Sequence, residues 1–105
     1  MNKVMLMGRL TRKPEISWNE DDLCIARFTM AVDRRFKREG QDADFISCVA
    51  FGKGAEFADK WLDQGTKIVL EGRIQTGSYT KTDGTKVYTT EIVAESMEFA
   101  ERKEQ

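Results

Sequence analysis

The sequence contains no histidine, one proline and only two cysteines among its 105 residues. Without histidine, the usual zinc clusters and the Ser–His and Cys–His pairs of nucleophilic enzymes are excluded. Cys24 and Cys48 cannot form a dense disulfide framework, and the carboxylates Glu15, Asp59 and Glu71 are scattered without a partner at a recognisable spacing. We therefore expect neither a metal, nor a cofactor, nor an enzyme.

Long apolar runs are also missing from the sequence. The run Val4–Met7 is far shorter than the roughly 20 residues that cross a bilayer, and the N-terminus lacks a signal-peptide pattern. The remaining composition, 40% hydrophobic and 33% charged, fits one compact domain. These features predict a cytoplasmic protein with one domain over residues 1–100 and a frayed end over residues 101–105.

The charge of the whole chain gives no indication of a nucleic-acid partner. The net charge is −1 and the isoelectric point is near 5.5, whereas a typical nucleic-acid-binding domain has an isoelectric point above about 9. The distribution is polarised, however, because residues 1–38 contain nine basic and five acidic residues. The basic residues are therefore concentrated in one part of the chain.

Hydrophobic periodicity predicts five strands and one helix. The predicted strands are Asn2–Leu10, Cys24–Asp33, Phe45–Phe51, Thr66–Tyr79 and Lys86–Ser96. A helical period runs from Gly54 to Gln64 and Gly65 follows as a helix-ending glycine, whereas the charged stretch Arg34–Asp44 reads as a long exposed connection. The helix therefore falls between the third and fourth strands.

This order of elements predicts an all-β fold, a five-stranded antiparallel OB-fold barrel with one short helix between strands 3 and 4. The alternative, a four-stranded RNA-recognition sheet, requires two helices and an aromatic motif that the sequence does not contain. An OB barrel commonly binds oligonucleotides across one curved face. The ten aromatic residues must therefore be divided between the core and this face.

Alternation assigns some of these rings to the core. Phe28 lies on the apolar face of the second strand, Phe57 and Trp61 share one face of the helix, and Phe99 is expected to cover the barrel end. Phe36 differs because it lies within a run of five charged residues and has no apolar neighbour within three positions. A ring among cations is suited to stacking on a base.

Three further rings are candidates for an exposed position. If Ile46, Cys48 and Ala50 supply the core, Phe45 and Phe51 point outward, either toward a ligand or into a subunit interface. Tyr79 precedes the predicted hairpin turn Thr82–Thr85, where its ring can remain exposed. The alternative role of Tyr79 is cross-strand packing against Tyr88 or Val87.

Exposed aromatic rings flanked by cations can hold a single-stranded nucleic acid irrespective of its sequence, because every base has a π-face. The chain has no recognition helix for a duplex groove. Basic side chains that lie close together on the surface would neutralise phosphates. Any single basic residue is alternatively a solvated surface charge. The candidate cations are Arg34, Arg35, Lys37, Arg38, Lys53, Arg73, Lys81 and Lys86.

Several blocks of the sequence, in order and at the family's usual spacing, resemble the bacterial single-stranded DNA-binding proteins, the SSB family. The resemblance covers residues 2–99. The matching blocks are Asn2–Leu10 with Pro14–Glu15, Phe51–Glu56, Gly65–Ile74 and Tyr88–Val93.

The resemblance implies an OB-fold core that assembles, usually as a homotetramer, and binds single-stranded DNA without sequence preference in replication, recombination and repair. The family's stacking aromatics correspond to Phe36, Phe45, Phe51 and Tyr79, which are phenylalanine and tyrosine here instead of the family's frequent tryptophan. Lys3, Arg9, Lys53 and Arg73 lie within or beside the matched blocks and are implied phosphate contacts.

Typical family members continue into a flexible tail with an acidic tip that recruits replication and repair enzymes. This sequence ends at Gln105, so recruitment through such a tail is not expected of these residues. The alternative function is an oligomeric adaptor of the primosome type, built on the same barrel, in which the Phe45 face joins subunits and contact with DNA is incidental.

Overall fold

Six strands and one helix make up the described part of the chain. The computed structural model describes residues 1–38 and 40–101, and the side chains of residues 37 and 38 lie outside that description, as does the predicted frayed end beyond residue 101. The elements are β1 (Val4–Leu10), β2 (Glu15–Trp18), β3 (Cys24–Arg38), β4 (Gln41–Phe51), α1 (Lys53–Trp61), β5 (Lys67–Thr80) and β6 (Lys86–Phe99).

The sheet closes into a barrel because β1 pairs on both of its edges. The strand order is β1-β5-β6-β4-β3-β2, and β1 also pairs with β3. This confirms the predicted five-stranded OB-fold barrel, formed by β1, β3, β4, β5 and β6, with one helix between the third and fourth barrel strands. One pairing differs from the expected antiparallel pattern, since β4 and β6 are parallel through Cys48–Ile92 and Val49–Val93. The chain passes through α1 and β5 before β6 returns beside β4 in the same direction.

Burial confirms the alternation predicted for β3, and in β4 the predicted core residues Cys48 and Ala50 are buried, although Val49 between them is buried as well. Phe28 and the two cysteines are buried, and Cys24 and Cys48 are both free thiols. Two neighbouring strands thus contribute one apolar face each to the barrel interior. The buried cluster consists of Leu10, Cys24, Ala26, Phe28, Met30, Cys48, Ala50, Ala55, Ala58, Leu62, Ile68, Leu70 and Ile92.

The helix closes one end of the barrel. Ala55 and Ala58 are fully buried, and the ring centroids of Phe57 and Phe99 lie 5.7 Å apart, as expected for rings that cover this end. The helix ends at Trp61, four residues before Gly65, because Leu62 adopts an extended conformation and is buried. The prediction that Trp61 packs in the core is wrong, since this residue is 43% exposed and Lys60 lies over its ring.

Two elements were not predicted. The short strand β2 pairs with β3 in a hairpin, and it lacks a clear period because only Ile16 of its four residues is partly buried. The stretch Arg34–Asp44 is not a loop, since β3 continues to Arg38 and β4 starts at Gln41. It projects from the barrel as a hairpin whose residues are mostly exposed, so no one-sided apolar pattern marks its strands.

Both long hairpins point away from the helix. The β3–β4 turn lies at the start of β4, whereas α1 follows the end of β4. Similarly, β5 begins near α1 and ends at the β5–β6 turn. The barrel therefore presents two arms on the side opposite the end that α1 covers.

Candidate nucleic-acid interface

The four rings proposed to stack on bases are exposed in this chain. Phe36, Phe45, Phe51 and Tyr79 have exposed fractions of 79, 69, 40 and 55%. None of them belongs to the buried cluster. They are distributed over the barrel surface and the two arms, so the interface extends over several strands.

Phe36 lies near the tip of the β3–β4 arm. The guanidinium carbon of Arg35 lies 5.6 Å from the centroid of its ring, which is within the range of a cation–π contact. Arg34 is held differently, because its Nε and Nη2 atoms donate to one carboxylate oxygen of Asp44 at 2.9 and 2.7 Å. The side chain of Lys37 lies outside the described residues.

Phe45 and Phe51 project from the outer face of β4. Phe45 pairs with Ala31 and Phe51 pairs with Ile25 across the β3–β4 ladder. The predicted outward orientation of both rings follows from strand alternation, because the intervening Cys48 and Ala50 point into the barrel. The outer face of β4 therefore bears a ring on either side of its centre.

The β5–β6 arm carries Tyr79. Its turn is fixed locally, since the Asp83 carboxylate accepts a hydrogen bond from the Thr85 amide at 2.9 Å, which lowers the pKa of Asp83. Lys81 is exposed at the same tip, where its amide donates to the carbonyl of Thr85. The β5–β6 arm thus carries both an aromatic ring and an ammonium group at the end of the barrel opposite α1.

Two predicted phosphate contacts are already paired with carboxylates. Lys3 contacts Glu71 at 2.5 Å. Arg9 makes a bidentate contact with Glu101 at 2.8 and 2.9 Å, which raises the pKa of Arg9 and lowers that of Glu101. A phosphate would have to displace a carboxylate from each of these cations.

Apart from Arg34, which pairs with Asp44, the remaining predicted cations whose side chains are described have no carboxylate partner within ion-pairing distance in the described part of the chain. Arg73 is half-buried on the outer face of β5 and donates to the side-chain oxygen of Gln75 at 3.1 Å. Lys53 is exposed at the start of α1, next to Gly52 and Phe51.

A groove of about 550 Å³ lies beside Phe45 and contains cations that sequence reasoning did not select. Arg27 alternates with the buried Ala26 and Phe28 and therefore lies on the outer side of β3, whereas Arg12 and Lys13 precede β2 in a segment without a period. The groove is lined by Thr11, Arg12, Lys13, Glu15, Arg27, Phe28, Thr29, Phe45, Ser47, Cys48 and Glu91.

The two most exposed rings outside the predicted set are Trp18 and Tyr88. Trp18 at the end of β2 and Tyr88 on β6 are 57 and 76% exposed, and Lys86 lies 5.4 Å from the centroid of the Tyr88 ring. Their exposure was not evident, because β2 has no clear period and alternation in β6 could equally have placed Tyr88 inside. Both are available to a ligand that extends beyond the outer face of β4.

The described residues contain no group of three or more histidine, cysteine, aspartate or glutamate side chains that could hold a metal ion. No helix among them is long and apolar enough to cross a membrane. The fold and its exposed rings define the class of the protein as an OB-fold domain with the type of surface that binds oligonucleotides. The model of the single-strand binding protein family matches residues 1–100, and the chain belongs to this family.

Relatives in three bacteria agree with this assignment. The single-stranded DNA-binding protein of Clostridium perfringens is 48% identical over 100 residues, which are 94% of this chain and 65% of the relative. Single-stranded DNA-binding protein 3 of Clostridium acetobutylicum is 52% identical over 103 residues (96% and 72%). Single-stranded DNA-binding protein 3 of Listeria innocua is 47% identical over 106 residues (99% and 66%). The chain therefore spans about two thirds of the length of these relatives.

Proposed function

We propose that this chain binds and protects single-stranded DNA without sequence preference, as a non-enzymatic protein of replication, recombination and repair in the bacterial cytoplasm. Bases stack on Phe36, Phe45, Phe51 and Tyr79, and each stacked base contributes roughly 1–3 kcal/mol. The single observation that carries the proposal is the exposure of all four rings on a barrel with only apolar side chains in its core. Family membership supports the same function.

Phosphate neutralisation supplies the second part of the mechanism. Arg35, Arg73 and Lys81 lie on or near the surfaces that present the rings, and none has a carboxylate partner among the described residues. Cations that replace the counterions of DNA make the affinity fall as salt rises. Lys3, Arg9, Arg34, Lys37 and Lys53 remain predicted contacts, the first three after exchange of a carboxylate for a phosphate.

We also propose that the chain assembles as a homo-oligomer, the tetramer usual for the family, through a surface other than the Phe45 face. Met5 and Met7 are 70 and 55% exposed on β1, where Met7 lies opposite the half-buried Val69 of β5. Exposed apolar side chains side by side on a sheet favour contact with another protein surface. A separate contact surface leaves the rings free for DNA.

Salt-titrated binding to oligo(dT) of increasing length tests the function. We expect affinity to rise with length until the surface is filled and to fall linearly with salt on logarithmic axes. Duplex DNA of the same length should bind much more weakly. Unchanged mobility of oligo(dT) at micromolar protein would contradict the proposal and favour the adaptor function.

Light scattering of the free chain and of Met7→Lys tests the assembly. We expect a mass of several subunits for the wild-type chain and a smaller mass for the variant. A monomeric wild-type chain would contradict the proposed assembly and leave the DNA-binding proposal standing.

A further inference from the structure

An ion pair occupies the groove beside Phe45. Nη1 of Arg27 on β3 donates to Oε2 of Glu91 on β6 at 2.5 Å. The Arg27 side chain is 56% exposed and that of Glu91 is 23% exposed, so the carboxylate is the more enclosed partner. Both side chains line the groove together with Arg12 and Lys13. One of the three groove cations therefore already holds an anion supplied by the protein.

The sheet register explains why Glu91 reaches Arg27. Arg27 lies opposite Val49 of β4, and Val49 lies beside Val93 of β6. Glu91 precedes Val93 by two residues and therefore points to the same outer face. The two charged side chains thus flank β4 on its outer face, where Val49 supplies no competing polar group.

We propose that Glu91 is an internal competitor for DNA phosphate at Arg27, and that it sets the affinity and the salt dependence of this groove. The inference rests on the proposed function. A guanidinium binds a carboxylate and a phosphate through the same donors. Because Arg27 is more than half exposed, its contact with Glu91 is weak enough for an entering phosphate to displace it. The displaced carboxylate stays in the groove and repels the phosphate.

Displacement of Glu91 by a phosphate also changes the net number of salt ions that are released when DNA binds. Each phosphate that the protein neutralises on a single strand contributes about −0.7 to the slope of log K against log salt. When Glu91 is released from Arg27, its free carboxylate attracts a salt cation, and this uptake offsets the cation that the phosphate gives up. Removing the carboxylate should therefore make binding both tighter and steeper in salt.

The test uses Glu91→Gln, which keeps the shape of the side chain and removes its charge. Glu98→Gln is the matched control, because Glu98 is exposed on the same strand, lies outside the groove lining and changes the net charge equally. We expect Glu91→Gln to bind oligo(dT) about two- to fivefold more tightly than Glu98→Gln at low salt. The salt slope should become steeper by about 0.7.

A double-mutant cycle separates competition at Arg27 from a general effect of charge. Arg27→Gln should bind more weakly than the wild-type chain, and adding Glu91→Gln to it should give a smaller gain than Glu91→Gln gives when Arg27 is present, because only the repulsion by the carboxylate is then relieved. Thermal unfolding of each variant checks that the fold is kept.

Affinity of Glu91→Gln equal to or below that of Glu98→Gln would overturn the inference, provided that the wild-type chain binds oligo(dT). An equal gain with and without Arg27 would overturn it as well. Failure of the wild-type chain to bind oligo(dT) would instead contradict the proposed function itself.

Discussion

Tyr79 and Tyr88 lie on opposite faces of the β5–β6 arm. In the ladder, Tyr79 pairs with Val87 and Tyr88 pairs with Ser78, so the two rings alternate across the arm. Tyr79 shares the outer face of the barrel with Arg73, which lies six residues, or three strand repeats, earlier on β5. Packing of Tyr79 against Tyr88, one of the two alternatives for this residue, is therefore wrong.

This arrangement predicts unequal effects of removing the two rings. Tyr79→Ala should weaken binding to oligo(dT) by roughly 1–3 kcal/mol, because a base loses its stacking partner. Tyr88→Ala removes a more exposed ring from the face that does not continue onto the outer surface of β4, and we expect a change of less than about twofold. Fluorescence anisotropy of a labelled oligonucleotide measures both. Similar losses in the two variants would show that the DNA contacts both faces of the arm.

Substitutions of Phe45 should change the affinity for oligo(dT) according to the size of the ring that remains. Phe45→Ala should weaken binding by roughly 1–3 kcal/mol, whereas Phe45→Trp, with a larger ring, should bind at least as tightly as the wild-type chain. The ring is 69% exposed, so neither change alters the core.

The tryptophan variant also reports on the contact directly, because stacking of a base should quench its fluorescence. Trp18 and Trp61 are present in every variant, so the wild-type chain supplies the background signal. Strong binding without additional quenching in Phe45→Trp would contradict the assignment of Phe45 as a stacking residue.

Local patterns were sufficient for the barrel and for the β5–β6 arm but not for the β3–β4 arm. The alternation of Cys24, Ala26 and Phe28 identified β3 because one face of this segment is buried in the core. The same strand continues to Arg38, and along residues 34–36 every side chain is at least partly exposed, so the alternation disappears. A projecting hairpin is stabilised by its own ladder, so its strands carry no one-sided apolar pattern.

The candidate site, like the fold, was predicted only in part. Exposure of Phe36 followed from its charged neighbours and that of Phe45 from its parity with the core residues of β4. The pairing of Arg27 with Glu91 could not be predicted, because it joins residues 64 positions apart and depends on the parallel contact between β4 and β6. Trp61 was misplaced because a helical period identifies a face but not where the helix extends beyond the core.

Gly72 is required by a close approach of β5 to β6. A Cβ atom built at Gly72 would lie 2.1 Å from the carbonyl oxygen of Val93, which is backbone and cannot rotate away. Gly72→Ala should therefore lower the free energy of unfolding by about 1–3 kcal/mol, as overpacking typically does. Urea unfolding followed by circular dichroism measures the change.

Gly77→Ala is the matched control on the same strand. Its Cβ atom would lie 3.2 Å from Oγ1 of Thr89, the end of a side chain that can move. We expect a much smaller change in the free energy of unfolding than for Gly72→Ala. Equal stability of Gly72→Ala and the wild-type chain would mean that the close approach of β5 to β6 at Gly72 tolerates a side chain.

The buried thiol of Cys48 predicts a loss of stability in alkaline solution. Burial raises the pKa of Cys48 from 9.0 to about 12, with a smaller contribution from Glu91. In the unfolded chain the thiol ionises near its ordinary pKa, so the unfolded state binds fewer protons than the folded state between these two values. The stabilisation is complete below about pH 9 and is lost as the pH rises toward 12, by at most about 1.4 kcal/mol per pH unit.

Other groups titrate in the same pH range, so the contribution of Cys48 is measured as the difference in the free energy of unfolding between the wild-type chain and a variant without this thiol. Cys48→Ala removes the thiol, and its free energy of unfolding should fall less steeply above pH 9.0 than that of the wild-type chain. The wild-type thiol should also react slowly with a thiol reagent at pH 8 and rapidly in denaturant, because only the ionised form is nucleophilic. Parallel pH profiles for the two chains would show that Cys48 ionises as readily in the folded protein as in the unfolded one.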